Sequence, residues 1–236
     1  MIAEGVTVVR RLLRSRYPPR AVLGVPAKLA QLATELATAA VPCYASSAEL
    51  VDRVVGFHLN RGVLATANRA PLLPAAALIT RSRQVAVLEG VNDHENLGAL
   101  FRNAAALGVD AVLLGPRCAD PLYRRSVRVS MGHVLHVPFS SLRNWPDDLD
   151  LLRLAGFRLV ALTPAPHARP LPELDLTAGR VAWLLGSEGS GLSAEALAEA
   201  DLAVRIPMAA GVDSLNVATA AAIAFASTGR VYSSKP

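Results

Sequence analysis

Arg102, Glu188, Ser214 and two asparagines, Asn96 and Asn216, are the side chains in this sequence whose surroundings suit chemistry. Each stands among glycines at the edge of an apolar run, and in an α/β protein such edges are where sites are built. In Asn96-Leu97-Gly98-Ala99-Leu100-Phe101-Arg102, helical spacing puts Gly98 and Arg102 on one side. A glycine near a helix start lets a backbone or ligand approach closely, and the helix N-terminus itself favours anionic groups. In Gly186-Ser187-Glu188-Gly189-Ser190-Gly191 the glycines follow an apolar strand and precede a helix. Their spacing is neither GxGxxG nor GxxxxGK[ST], and no lysine is there to grip a phosphate. A phosphate-free ligand held by backbone groups fits better. In the third segment, Ile206-Pro207-Met208 ends a strand and Ser214-Leu215-Asn216 opens an alanine-rich helix. Taken singly, each has a plainer reading: a capped helix with an exposed arginine, a strand-to-helix turn, and a serine N-cap. Ala218, Ala221, Ala222 and Phe225 make a small-residue face suited to close helix packing, in a core or at an interface.

Alternating strands and helices must position these segments. Apolar spacing predicts an amphipathic helix over residues 4–16, ended by Pro18-Pro19. Strands at 21–25, 41–45 and 62–66 alternate with helices at 27–39 and from Ser46 or Ser47 to Val55. Residues 68–82, with two prolines, alanines and basic residues, read as a linker. The pattern then restarts. Strands are expected at 84–89, 109–114, 134–137, 157–162, 181–185 and 202–206. Helices are expected at 95–107, 121–128, 149–155, 193–199 and 213–228. Asn92 or Asp93 lies near the start of the first of these, and Gly108 and Gly156 stop two of them. Such alternation implies a parallel sheet with helices on both faces.

The composition agrees. Hydrophobic residues make up 52% of the 236 and aromatics only 5%, as expected for parallel strands buried beneath helices. The formal charge of +5 is unevenly spread. Residues 1–80 hold nine Lys and Arg against four Asp and Glu, and the remainder fifteen against fifteen. A basic, arginine-rich N-terminal module suits nucleic acid as well as a plain solvated surface. Cys43 and Cys118 lack metal or redox spacing and read as buried thiols in a reducing compartment. His133 and His136 read as structural. With no signal peptide and no apolar run long enough to span a bilayer, the chain reads as cytoplasmic.

The order and spacing of the three segments resemble the signature of the SPOUT-class RNA 2′-O-methyltransferases, the SpoU/TrmH family. Glu89-Gly90 through Gly108 resembles its first motif, and Val129-Ser130-Met131-Gly132 an intermediate serine–glycine segment. Residues 186–192 resemble its second motif, with Ser187 where asparagine is common, and residues 206–218 its third. Ala3-Glu4-Gly5, Gly56-Phe57-His58 and Gly62-Val63-Leu64-Ala65 resemble the ribosomal-protein-like RNA-binding module often fused in front. The family usually carries a lead-in ahead of Ile2-Ala3-Glu4-Gly5, which itself reads as the end of a strand.

The resemblance implies an α/β fold: a small RNA-binding domain over residues 1–70, a linker over 71–82, and a SPOUT domain over 83–236 whose parallel sheet ends in a deep trefoil knot. S-adenosylmethionine would bind bent in the knot, against Leu162, Thr163, Gly186, Ser187, Gly191, Ile206, Met208, Ser214 and Leu215, the glycines leaving it room. A ribose 2′-oxygen of RNA would attack the cofactor's methyl group, without a metal. Arg102 would be either a deprotonated base or a charged group binding phosphate or the forming alkoxide. Asn96, Glu188, Ser214 and Asn216 would position it, the ribose and the cofactor. The partners implied are RNA, 23S ribosomal RNA ahead of transfer RNA, and a second copy of the chain packed through the knotted domain. A non-catalytic RNA-binding dimer and a base methyltransferase of the same superfamily are the alternatives. The retained Asn96, Arg102, Glu188, Ser214 and Asn216 speak against the first, and Ser214-Leu215-Asn216 against the second.

Overall fold

A computed structural model describes residues 1–56 and 58–229. Phe57 of the Gly56-Phe57-His58 segment, and residues 230–236 of the expected second domain, lie outside them. In chain order the elements are β1 (Ile2–Glu4), α1 (Val6–Leu13), β2 (Pro19–Gly24), α2 (Pro26–Ala30), α3 (Ala33–Ala39), β3 (Cys43–Ala45), α4 (Ala48–Val55) and β4 (Val63–Ala67). There follow α5 (Ala75–Arg81), β5 (Gln84–Leu88), α6 (His94–Ala106), β6 (Ala111–Leu114), α7 (Arg124–Val129), β7 (Phe139–Ser141) and α8 (Asp150–Leu154). The last are β8 (Phe157–Leu162), β9 (Arg169–Pro170), β10 (Arg180–Leu185), α9 (Ala194–Ala198), β11 (Leu202–Arg205) and α10 (Val217–Ser227). They form two compact units, Met1–Pro71 with Asp120–His136, and Leu72–Ala119 with Val137–Pro236.

The first unit holds a mixed four-stranded sheet in the order β1-β4-β2-β3, with β2 and β3 parallel and the other pairs antiparallel. Val8, Val9 and Leu12 form the buried stripe of α1, spaced as a helix of period 3.6 requires. The segment 120–136 belongs here: Arg124 Nη2 lies 2.8 Å from the buried Glu4 carboxylate, and Arg11 donates to the Met131 carbonyl. Arg124, Arg125 and Arg128 thereby join the basic residues of the N-terminal stretch.

The second unit is built on a seven-stranded sheet, β7-β6-β5-β10-β8-β11-β9, parallel at every pairing. Both faces are covered, so β5 and β6 are buried at every position and show no polar alternation. On one face Val85, Val87, Leu113, Leu159, Ala182 and Leu184 pack with Leu78 and Ile79 of α5, Leu152 of α8 and Leu149 just before it. α6 and α10 pack against each other, burying Leu97, Phe101, Ala104, Ala221 and Phe225. At the opposite edge of the strands the Arg180 guanidinium donates to the carbonyls of Ser82, Ala155, Ile79 and Thr80 and stacks 4.3 Å from the Phe157 ring.

Several expectations are corrected. The helix expected over 27–39 is two helices, broken at Gln31-Leu32. Residues 134–137 are not a strand. The left-handed Met131-Gly132 turn feeds a 3-10 turn, His133–Leu135, and the sheet takes up Phe139–Ser141 instead. The stretch read as linker holds α5, whose Leu78 and Ile79 are core residues. The last helix begins at Val217 rather than Asp213.

Candidate functional site

Parallel neighbours β8 and β10 end together at Leu162 and Leu185, and β11 ends at Arg205, one residue before Ile206. The crevice outside such carboxyl ends is where open α/β sheets bind ligands. Here it is a cavity of about 480 Å³, lined by Leu162, Thr163 and Pro164 after β8, by Leu185 to Gly189 and Gly191 after β10, and by Ile206, Met208 and residues 214–217 after β11. Every residue expected to touch a cofactor lies on this wall: Leu162, Thr163, Gly186, Ser187, Gly191, Ile206, Met208, Ser214 and Leu215. The lining includes one carboxylate, Glu188, and no lysine, arginine or histidine. A phosphate-bearing nucleotide would find no countercharge there, whereas a small cationic, phosphate-free ligand would find Glu188.

The glycine-rich turn folds back on itself. Gly191 N–H donates to Ser187 O at 3.1 Å, and the Ser187 and Ser190 hydroxyls are 2.7 Å apart. A Cβ on Gly186 would lie 2.1 Å from the Gly191 carbonyl carbon and 2.2 Å from Leu192 N. The need for glycine at 186 is therefore already set by the turn's close crossing of its own backbone. Gly189 and Gly191 have φ of 94° and 68°, the left-handed conformation that favours glycine.

Three of the five residues expected to carry chemistry are joined directly. Asn216 Nδ2 donates to Asn96 Oδ1 at 2.7 Å and to Glu188 Oε1 at 2.8 Å. Its Oδ1 accepts the N–H groups of Ala218 and Thr219, at 3.0 and 3.2 Å. The two backbone donors set which way the amide faces, so both Nδ2 hydrogens are committed to the cluster. Asn216 is thus the N-cap of α10, the role expected of Ser214. Ser214 lies in the loop before the helix, exposed on the cavity wall. Asn96 is itself held at the start of α6, where Asp93 caps the helix by accepting from Asn96 N–H at 3.0 Å. Two turns on, Asn103 Nδ2 donates to Ala218 O at 2.8 Å, so one stripe of α6 is fastened to the first turn of α10.

Arg102 stands apart. It is exposed, is absent from the cavity wall, and makes no hydrogen bond or ion pair with another described residue. Within one chain it is a free cation on the outer side of α6. His136 Nε2 donates to the Arg11 carbonyl, 2.9 Å away, within the first unit. Among the described residues no cluster of three or more metal-type ligands occurs, and no helix is long and apolar enough to cross a membrane. Cys118 is partly buried, with its thiol pushed up by burial, whereas Cys43 is exposed. Sequence reading gave no functional role to Glu89, Trp145, Ser193 or Asn103. Only Glu89, an acid directly after an apolar strand, carried a visible signal.

Residues 83–226 match the family described as SpoU rRNA methylase. An uncharacterised tRNA/rRNA methyltransferase of Mycobacterium tuberculosis is 56% identical over 227 residues, covering 95% of this chain and 79% of that protein. A 23S rRNA guanosine 2′-O-methyltransferase of Bacillus subtilis is 32% identical over 183 residues, 78% of this chain and 71% of its own length. Among solved structures, an rRNA methyltransferase from Sinorhizobium meliloti superposes with a TM-score of 0.83 at 24% identity, covering 98% of this chain and 87% of that one. This last likeness is one of fold.

Proposed function

The chain belongs to the SpoU rRNA methylase family, and from that premise we propose that it methylates a ribose 2′-oxygen of RNA, 23S ribosomal RNA before transfer RNA. The observation that carries this reading is the meeting of three distant segments at one cavity that holds a carboxylate and no cation. S-adenosylmethionine, when bound there, supplies an electrophilic methyl group on a positively charged sulfur. Glu188 offers the countercharge. The strand ends at Leu162-Thr163, Gly186 and Ile206, with Leu215, offer backbone donors and acceptors to an adenine edge, while Ser187, Gly191, Met208 and Ser214 complete the wall.

The attacking hydroxyl must lose its proton, to solvent water, as the new bond forms and the methyl's bond to sulfur breaks. Arginine carries its charge at any physiological pH, and Arg102 is exposed. We assign it the role of a fixed cation that binds a neighbouring phosphate or steadies the forming alkoxide. A neutral Arg102 acting as base is the alternative, and it requires a rate that climbs with pH over a far wider range. Asn96 and Asn216 hold Glu188 and the α6 start in register, and Ser214 faces the ribose.

Arg102 lies off the cavity wall of its own chain, which supports a homodimer whose RNA site draws on both copies. A trefoil knot is part of the same proposal. Supporting it are β10 inserted between β5 and β8, and α10 returning against α6. The basic first unit, with Arg20, Arg53 and Arg61 exposed, is assigned to RNA binding, where phosphate contacts dominate affinity.

The test is transfer of a labelled methyl group from S-adenosylmethionine to unmethylated ribosomal and transfer RNA. Label in the ribosomal pool is expected. Label in transfer RNA alone would reassign the substrate, and no transfer together with no cofactor binding would favour the non-catalytic RNA-binding dimer.

A further inference from the structure

A buried acid outside the cavity is unused so far. Glu89 follows β5 directly and is 2% exposed. Its Oε1 accepts from Trp145 Nε1 at 3.0 Å, with Arg117 Nη2 at 3.6 Å, and its Oε2 accepts from Ser193 N–H at 2.9 Å. Gly115 makes room for the indole, since a Cβ there would lie 2.9 Å from Trp145 Cζ3. Burying a carboxylate costs several kcal/mol unless its oxygens are satisfied, and here each has an N–H donor.

What matters is where those donors lie. The backbone N–H of Glu89 donates to Leu185 O at 2.9 Å, at the last residue before the glycine-rich turn. Its side chain holds Ser193, the N-cap of α9, just after that turn. One residue therefore grips both ends of the span that carries Gly186, Ser187 and Glu188 to the cavity. Gly90 adds a stop, as its Cβ position is 3.3 Å from Ser187 Cβ.

We propose that Glu89 is a positioning residue for the cofactor site: by clamping Leu185 and Ser193 it sets the path of the turn between them, and so places Glu188 and the turn's backbone groups against the ligand. This rests on the reading of the cavity as the S-adenosylmethionine site. Glutamine keeps the size of the side chain but can accept at only one of its two terminal atoms, so Glu89→Gln gives up one of the two bonds.

The experiment measures S-adenosylmethionine Kd by calorimetry, and kcat and KM for methyl transfer, in the wild-type chain, Glu89→Gln, Trp145→Phe and Ser193→Pro. Ser193 has φ −64°, which proline accepts, so Ser193→Pro deletes the same N–H from the other side. Ser193→Ala controls for the lost cap. Ser193→Pro is expected to raise Kd and cofactor KM at least tenfold, and Glu89→Gln, which keeps one acceptor for two donors, by a smaller factor, with kcat at saturating cofactor within about threefold of wild type. Trp145→Phe and Ser193→Ala, which leave the Ser193 N–H on Glu89, should keep Kd within about threefold. A lower melting temperature with unchanged Kd in Ser193→Pro would make Glu89 merely structural and overturn the proposal alone. If Glu89→Gln does not fold, Ser193→Pro decides by the same criterion. No binding by the wild-type chain would overturn the reading of the cavity, and the proposal with it.

Discussion

Replacing Asn216 with aspartate separates two duties that one side chain performs. Aspartate caps a helix about as well as asparagine and can accept the same N–H groups of Ala218 and Thr219. It cannot donate to Asn96 or Glu188, and it sets a second carboxylate where Asn216 Nδ2 lies 2.8 Å from Glu188 Oε1. The bond to a charged acceptor is worth about 1.5–3 kcal/mol and the neutral one about 0.5–1.5 kcal/mol. Asn216 and Glu188 are exposed and Asn96 is half-buried, so water recovers most of both. Two carboxylates about 4 Å apart repel by about 1 kcal/mol in water, and an acid at a helix N-terminus returns about 0.3–1 kcal/mol. The fold should therefore lose only about 1 kcal/mol, a shift of about 2–4 °C in melting temperature. Asn216→Ala, which also loses the cap, should lose about 1 kcal/mol more. The site should suffer far more than the fold. With Glu188 turned away and the α6 start released, S-adenosylmethionine should bind at least about tenfold more weakly, a loss of about 1.4 kcal/mol. Differential scanning calorimetry and cofactor titration on the two variants provide the readout. Wild-type cofactor affinity and turnover in Asn216→Asp would refute the claim that the Asn96–Asn216–Glu188 cluster organises the site.

Three further outcomes are expected. Arg102→Ala should abolish methyl transfer while leaving cofactor Kd within about twofold, as Arg102 lies off the cavity wall; unchanged turnover would remove it from the mechanism. Gly186→Ala should lose cofactor binding or fail to fold, because the added carbon would fall 2.1 Å from Gly191; a well-folded, cofactor-binding variant would contradict the crossing. Arg180→Ala should cost about 2–4 kcal/mol in urea unfolding, since four carbonyls and the Phe157 ring share that guanidinium; a change below about 1 kcal/mol would show that water replaces it.

How far the sequence was legible depends on the range of the interaction. Period and punctuation are local. β5 and β10 were readable as buried runs, and α6 by Asn92 or Asp93 near its start, of which Asp93 is the cap, and Gly108 beyond its end. The start of α10 was not readable, because the apolar run gives no mark of where the first hydrogen-bonded turn begins. Ser214 and Asn216 are equally good caps by type, and what decides between them is the pair of N–H groups that only Asn216 reaches. The strand at Phe139–Ser141 was misplaced because Val134 and Leu135 are buried in a 3-10 turn rather than in the sheet. The wall segments at Gly186 and Ile206 were legible as the ends of apolar strands, whereas Leu162-Thr163 entered only through the family resemblance. The contacts across the cavity were not legible. Asn96 meets Asn216 over 120 residues of chain, and Glu89 reaches Ser193 over 104. No local pattern encodes such pairings. Gly186 gained a second physical reason, room for its own turn, that no local pattern showed.

The most direct test of the proposed reaction is mass spectrometry of nucleosides from ribosomal RNA incubated with the protein and methyl-labelled S-adenosylmethionine. The added methyl should appear on the sugar of one nucleoside and on no base. It should disappear with Arg102→Ala. A methyl on a base would contradict ribose 2′-oxygen attack, even with the cofactor site intact.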